Sequence, residues 1–200
     1  MRFRTSLLTL LLGAGLPVAA QSATFGIAAG LATPGGDMTN SVGSDMTLGL
    51  GIQVRVKFGA GHAILPRLDK VTFKGTTQVN GFDLRAESDL TSFGVDYNWF
   101  TSRQAGEGFY LSTGLGYLQK EDKVEGGSSY YYTVSGNQQK DRIYFSLGLG
   151  GVIAKHVDLS ARLQFFGDER QADTYNSNSG QYQANYSMST VFTLGVAYHF

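Results

Sequence analysis

The stretch MTLGLGIQVRVKF (46–58) decides how this chain is read. Leu48, Leu50, Ile52, Val54, Val56 and Phe58 stand at every second position, against Gly49, Gly51, Gln53, Arg55 and Lys57. Side chains of an extended chain alternate between two faces, whereas a helix repeats every 3.6 residues. Thirteen residues of period two therefore predict a strand with one apolar and one polar face.

The same alternation recurs along the chain. TFGIAAGLA (24–32) places Phe25, Ile27, Ala29 and Leu31 together, and DLTSFGVDYNWF (89–100) places Phe93, Val95, Tyr97 and Trp99 against Ser92, Gly94, Asp96 and Asn98. GFYLSTGLGYLQ (108–119), DRIYFSLGLGGVIA (141–154), VDLSARLQFF (157–166) and SMSTVFTLGVAYHF (187–200) follow suit. AILPRLDKVTFKGTT (63–77) is the irregular one: Val71 and Phe73 share parity with Arg67 and Asp69. A bulge near Lys70 is expected to carry Arg67 and Asp69 to the opposite face.

These segments make eight strands. Short connections near 59–62, 101–107 and 154–156 alternate with longer polar ones near 33–45, 76–88, 119–140 and 167–185. The apolar faces are too continuous for water, and the opposite faces carry too little charge for a soluble exterior. The expected fold is all-β: a transmembrane eight-stranded antiparallel up-and-down barrel with short periplasmic turns and longer extracellular loops. Phe58, Tyr97, Trp99, Phe100, Phe109, Tyr198 and Phe200 should form the aromatic girdle at the periplasmic rim.

Composition agrees. The absence of Cys excludes disulfides and thiolate metal sites, and 27 glycines suit bends and close strand contacts. Arg2 and Arg4, the apolar LLTLLLGAGL and the small residues Val18 and Ala20 predict a signal peptide over 1–20, with the barrel domain over 21–200. Without those two arginines, 14 basic residues face 16 acidic ones, about −2 formal charge. No basic excess points to nucleic acid.

The signal, the eight alternating segments and the terminal row Phe192, Leu194, Val196, Tyr198 and Phe200 resemble the small OmpA/OmpX-like outer-membrane barrel family. The resemblance implies residence in the outer membrane, contact with its lipid and lipopolysaccharide, and recognition of the last strand by the barrel-assembly machinery. It covers the barrel and does not extend to the peptidoglycan-binding domain of full-length OmpA.

Three places could carry function. Arg55, Lys57, Asp96 and Arg162, joined by Arg67 and Asp69, are expected to point into the lumen. They form either a static network that fills the barrel or the gate of a narrow channel for ions or small solutes. The segments holding Tyr130, Tyr131, Tyr132, Tyr175 and Tyr182 are rich in Ser, Gly and Asn, a composition suited to binding and adhesion. A lipid-modifying enzyme needs a general base. His62, His156 and His199 all fall at the periplasmic end as interfacial polar residues, about 25 Å from the outer rim. The expectation is a non-enzymatic surface barrel that supports the envelope and presents loops for binding or adhesion, without cofactor or metal.

Overall fold

The computed structural model describes residues 20–79, 82–102, 107–126, 134–176 and 181–200. The chain forms β1 (Ala20–Gly36), a helical turn α1 (Met38–Val42), then β2 (Thr47–Phe58), β3 (His62–Val79) and β4 (Phe82–Phe100). After these come β5 (Gly108–Gly126), β6 (Val134–Ile153), β7 (Val157–Asn176) and β8 (Gln181–His199). Every strand pairs antiparallel with its chain neighbour, and β8 returns to β1 to close the barrel.

Closure explains the apolar chain end. Gly26 pairs with His199 and Ile27 with Tyr198, and the Phe200 amide donates to the Phe25 carbonyl at 2.8 Å. Phe192, Leu194, Val196, Tyr198 and Phe200 all face outward, 39–64% exposed. The outward rows of the other strands are equally bare, up to 77% at Ile143, which only a lipid environment accommodates. No helix among the described residues is long and apolar enough to cross a membrane, so the strands do the crossing.

The periplasmic turns are tight. Between β2 and β3, Gly59 and Gly61 adopt φ of 62° and 82°, which a residue with a Cβ rarely reaches. Beside this turn Phe58, His62 and Tyr97 stack, with the Tyr97 hydroxyl 2.7 Å from His62 Nδ1. Across the barrel His156, Tyr198, Phe200 and Phe25 form a second aromatic group. Phe100 does not join the girdle. It points inward, 2% exposed, against Tyr110 at 5.1 Å, because its parity matches Asn98 rather than Trp99.

The far end departs more from expectation. Segments 76–88, 119–140 and 167–185 are largely strand, since β3 to β8 extend well past the apolar band. β3 through β6 stay paired to their tips. β6 and β7 part above Tyr144↔Phe166, and β1 and β8 part above Gly36↔Ser189. The barrel is thus closed within the membrane and divides above it into a four-stranded sheet and a β7–β8 hairpin.

β3 contains no bulge, and its register against β4 is continuous from His62↔Trp99 to Val79↔Phe82. Arg67 and Asp69 face the lumen together with Val71 and Phe73, instead of opposing them. Phe73 is 1% exposed because α1 folds into the barrel mouth and covers it with Met38 and Val42. Gly75 makes room for that turn: a Cβ there would collide with the Val42 carbonyl.

Candidate functional site: the charged lumen

Inward parity brings polar side chains from seven strands, β2 to β8, to the barrel axis, where they sort into two clusters. In the central cluster, Arg67 donates through Nε and Nη2 to Asp69 at 2.7 and 2.9 Å, and reaches Asp96 at 3.4 Å. Arg162 donates to Asp69 at 3.0 Å and to the Tyr144 hydroxyl at 3.0 Å, and lies 3.4 Å from Asp96. Ser146 donates to Asp96 at 2.8 Å. Two guanidinium ions and two carboxylates cancel, as charges removed from water must. Planar guanidinium forks suit this arrangement, since each engages more than one oxygen.

Glycines shape the cluster. Tyr144 lies directly opposite Gly116, and a Cβ at Gly116 or Gly94 would run into its ring or hydroxyl. Tyr110 likewise lies opposite Gly150, where a Cβ would meet its ring. The small residues of the polar faces are sockets for large inward side chains on the neighbouring strand.

The second cluster sits nearer the periplasmic turns. Arg55 pairs with Asp158, both almost fully buried, and Tyr110 donates to the other Asp158 oxygen at 2.8 Å. Gln53 Nε2 lies 3.0 Å from His199 Nε2, which is itself 3.9 Å from Asp158. His199 is therefore a lumen residue, 1% exposed, and not interfacial: its parity on β8 opposes Tyr198. His62 and His156 do lie at the rim.

Apolar layers bound these clusters. Above the central one, Met38, Val42, Phe73, Leu90, Leu118, Phe166 and Val191 pack together with Tyr144. Below, Ala63, Phe100, Tyr110 and Val152 form a smaller group. Between them a cavity of about 50 Å³ remains on the β1–β8 side, where Ala28, Gly30 and Gly195 leave space. Gln164 Nε2, buried at its edge, has no hydrogen-bond partner among the described residues. The space is enough for a few waters.

Among the charges expected in the lumen, Asp96 and Arg162 meet with Arg67 and Asp69, while Arg55 belongs to the lower cluster. Lys57 shares the Arg55 face at the half-buried mouth, and no described residue forms an ion pair with it. Sequence reading missed Asp158, Tyr110, Tyr144 and Gln53. Parity alone marks all four as inward, since Asp158 alternates with Leu159 as Arg162 does with Leu163. Tyr130, Tyr131 and Tyr132 lie outside the described residues. Tyr175 and Tyr182 are not in a loop; their backbones pair across β7 and β8, and their side chains lie outside the described residues.

An apolar exterior, a rim of aromatic rings, a closed antiparallel sheet and a packed polar lumen define an outer-membrane β-barrel of eight strands. Solved structures share this fold. Ail, the attachment invasion locus protein of Yersinia pestis, is 12% identical, with 89% of this chain and 97% of that one covered at a TM-score of 0.54. A major outer membrane protein of Thermus thermophilus is 11% identical, over 90% of this chain and 100% of that one, at 0.55. The N-terminal barrel domain of Pseudomonas aeruginosa OprF is 14% identical, over 90% and 100%, at 0.51. No family model and no curated protein sequence matches the chain.

Proposed function

We propose that this protein is a non-enzymatic, non-conducting surface barrel, whose membrane part anchors an extracellular sheet for binding or adhesion. The sealed lumen carries this reading. The charges of its two clusters cancel in pairs, and apolar layers close it above and below. A pore would need a continuous wet path and an excess of one charge for selectivity. On this reading the outward row Phe192–Phe200 meets the assembly machinery, and the charged outer wall above the apolar band meets lipopolysaccharide.

Planar-bilayer recordings of the refolded barrel test this, with the heat-modifiable gel shift as folding control. A folded, silent barrel is expected; discrete salt-dependent openings would overturn the sealed-lumen reading. The narrow gated channel is the second reading, favoured by the cavity and by the unpartnered Gln164 amide beside it. It requires that Arg162→Ala change the conductance of a barrel that already conducts. The non-enzymatic reading is supported by the positions of His62, His156 and His199, all at the periplasmic end.

A further inference from the structure

Buried polar groups need partners, most of all at the centre of a membrane barrel. Gln164 stands two residues beyond Arg162 on β7, so both side chains enter the lumen from the same face. Gln164 is 7% exposed, and its buried amide nitrogen has no hydrogen-bond partner. Both residues line the cavity of about 50 Å³, where Gly30, Gly49 and Gly195 stand in place of inward side chains. The Arg162 Nε is also buried without a hydrogen bond, 3.4 Å from Asp96.

The polar groups around this space are mostly donors. The inward charges that line it are Arg67, Arg162 and Asp69, two guanidinium ions to one carboxylate. Lys70 also borders it, but its parity is that of Leu68 on the outer face. Asp96, which completes the neutral cluster, is not among the lining residues and accepts from Ser146 of β6. Asp69 already accepts three hydrogen bonds, two from Arg67 and one from Arg162. The Gln164 amide adds N–H donors, and Ser92, Ser160 and Thr193 add hydroxyls. A water molecule accepts from such groups but must place its own protons on acceptors, which are scarce here. An anion only accepts, and the excess of guanidinium acts on it through a medium that screens little.

We propose that this cavity binds one chloride-sized monovalent anion, held by the Gln164 amide and the guanidinium groups of Arg67 and Arg162. This rests on the sealed-lumen reading above, in which the apolar layers keep the ion as a structural ligand instead of a permeant one. Space for a few waters is space for one chloride, whereas a sugar acid or a phosphate ester does not fit. The bound ion gives the buried amide its partner and ties β7 to β3 through the two arginines.

The refolded barrel is titrated with urea in lipid vesicles, in sodium chloride and in sodium gluconate at equal ionic strength. Chloride at about 100 times its dissociation constant should raise the folding equilibrium constant about 100-fold over gluconate. Gln164→Leu should shrink that difference about tenfold or more while keeping the folded gel shift. Gln164→Glu brings a carboxylate to the same place, so its titrations in the two salts should coincide, and it decides alone if Gln164→Leu does not fold. Crystals grown in bromide should show an anomalous peak beside position 164 in the wild type and none there in Gln164→Glu. Equal wild-type titrations in the two salts would overturn the proposal, as would a chloride effect that both substitutions leave unchanged. Bromide at the surface alone, an adventitious ion only, would overturn it too and assign the cavity to water. The conductance recording keeps the two readings apart. A silent barrel indifferent to chloride loses the anion and keeps the sealed lumen, whereas a barrel whose openings carry chloride loses both.

Discussion

Two charged clusters in this barrel are each built from ion pairs around two cations, and they differ in nearly everything else. Arg67, Asp69, Asp96 and Arg162 hold the lumen, with side chains 4–22% exposed. Lys74, Glu87, Asp89 and Lys123 cover the outer wall of β3–β5 above the apolar band, with side chains 18–74% exposed. The inner cations are arginines that fork between carboxylates. The outer ones are lysines, with Lys123 3.0 Å from Asp89 and Lys74 3.1 Å from Glu87. Burial raises what is lost when one partner goes, whereas solvent absorbs the loss outside. Similar ion pairs thus describe a structural keystone in one place and a solvated surface in the other.

The sharpest way to break this comparison is to remove one inner carboxylate. Asp69→Ala leaves Arg67 and Arg162 sharing Asp96 alone, and stranding buried charge costs about 3–5 kcal/mol. Urea titration of the folded fraction by gel shift in lipid vesicles measures it. A cost below about 1 kcal/mol would put bulk solvent in the lumen and the inner cluster on a par with the outer one.

Next in size is the lid over the inner cluster. Met38 is fully buried by Phe73, Leu90 and their neighbours, so Met38→Ala should cost about 2–4 kcal/mol in the same titration. A smaller loss, about 1–3 kcal/mol, is expected from Gly94→Ala, whose methyl group would displace the Tyr144 hydroxyl from Arg162. Gly151→Ala is the control. A Cβ there faces open space, its nearest contact 3.8 Å away, and the titration should hardly move.

How far these regions could be read from sequence differs for a physical reason. Inside the bilayer each strand needs one apolar face, so alternation marks strand, face and register at once; Leu48–Phe58 and Phe192–Phe200 read directly. Above the bilayer both faces meet water while the ladder continues, so 119–126 and 134–140 are strand without any alternating signal. Phe73 misled because the same inward parity serves polar residues at the membrane centre and apolar ones beneath α1. Nothing in residues 38–42 announces that the turn folds inward. The partners inside the lumen were illegible too, because parity gives a side chain its face but not its neighbour. Arg55 found Asp158, far along the chain, and Arg162 found Asp69.

The smallest effect tests the outer cluster on its own terms. Asp89 lies past Phe93 and Thr91, beyond the apolar band. Partial burial pushes its carboxyl upward, but hydrogen bonds from Thr72 at 2.5 Å and Lys123 at 3.0 Å outweigh that and hold it below the usual carboxylate range. The hydrogen bond to Asp89 in turn raises the Lys123 ammonium. A depressed carboxyl stabilises fully above its unfolded value of about 3.9, and that share disappears as pH falls through the folded value. A raised ammonium stabilises fully below about 10.4, and its share disappears as pH rises through the folded value. The share these two groups contribute should therefore be level across neutral pH, with an acid-side decline that Asp89→Asn makes shallower. The substitution should cost about 0.2–1 kcal/mol at pH 7, and nearly nothing in 1 M salt, where screening acts within about 3 Å. The cost of Asp69→Ala should survive the same salt, because the lumen admits too little solvent to screen it. If salt reduced both alike, the inner cluster would be as wet as the outer, and burial would no longer separate them.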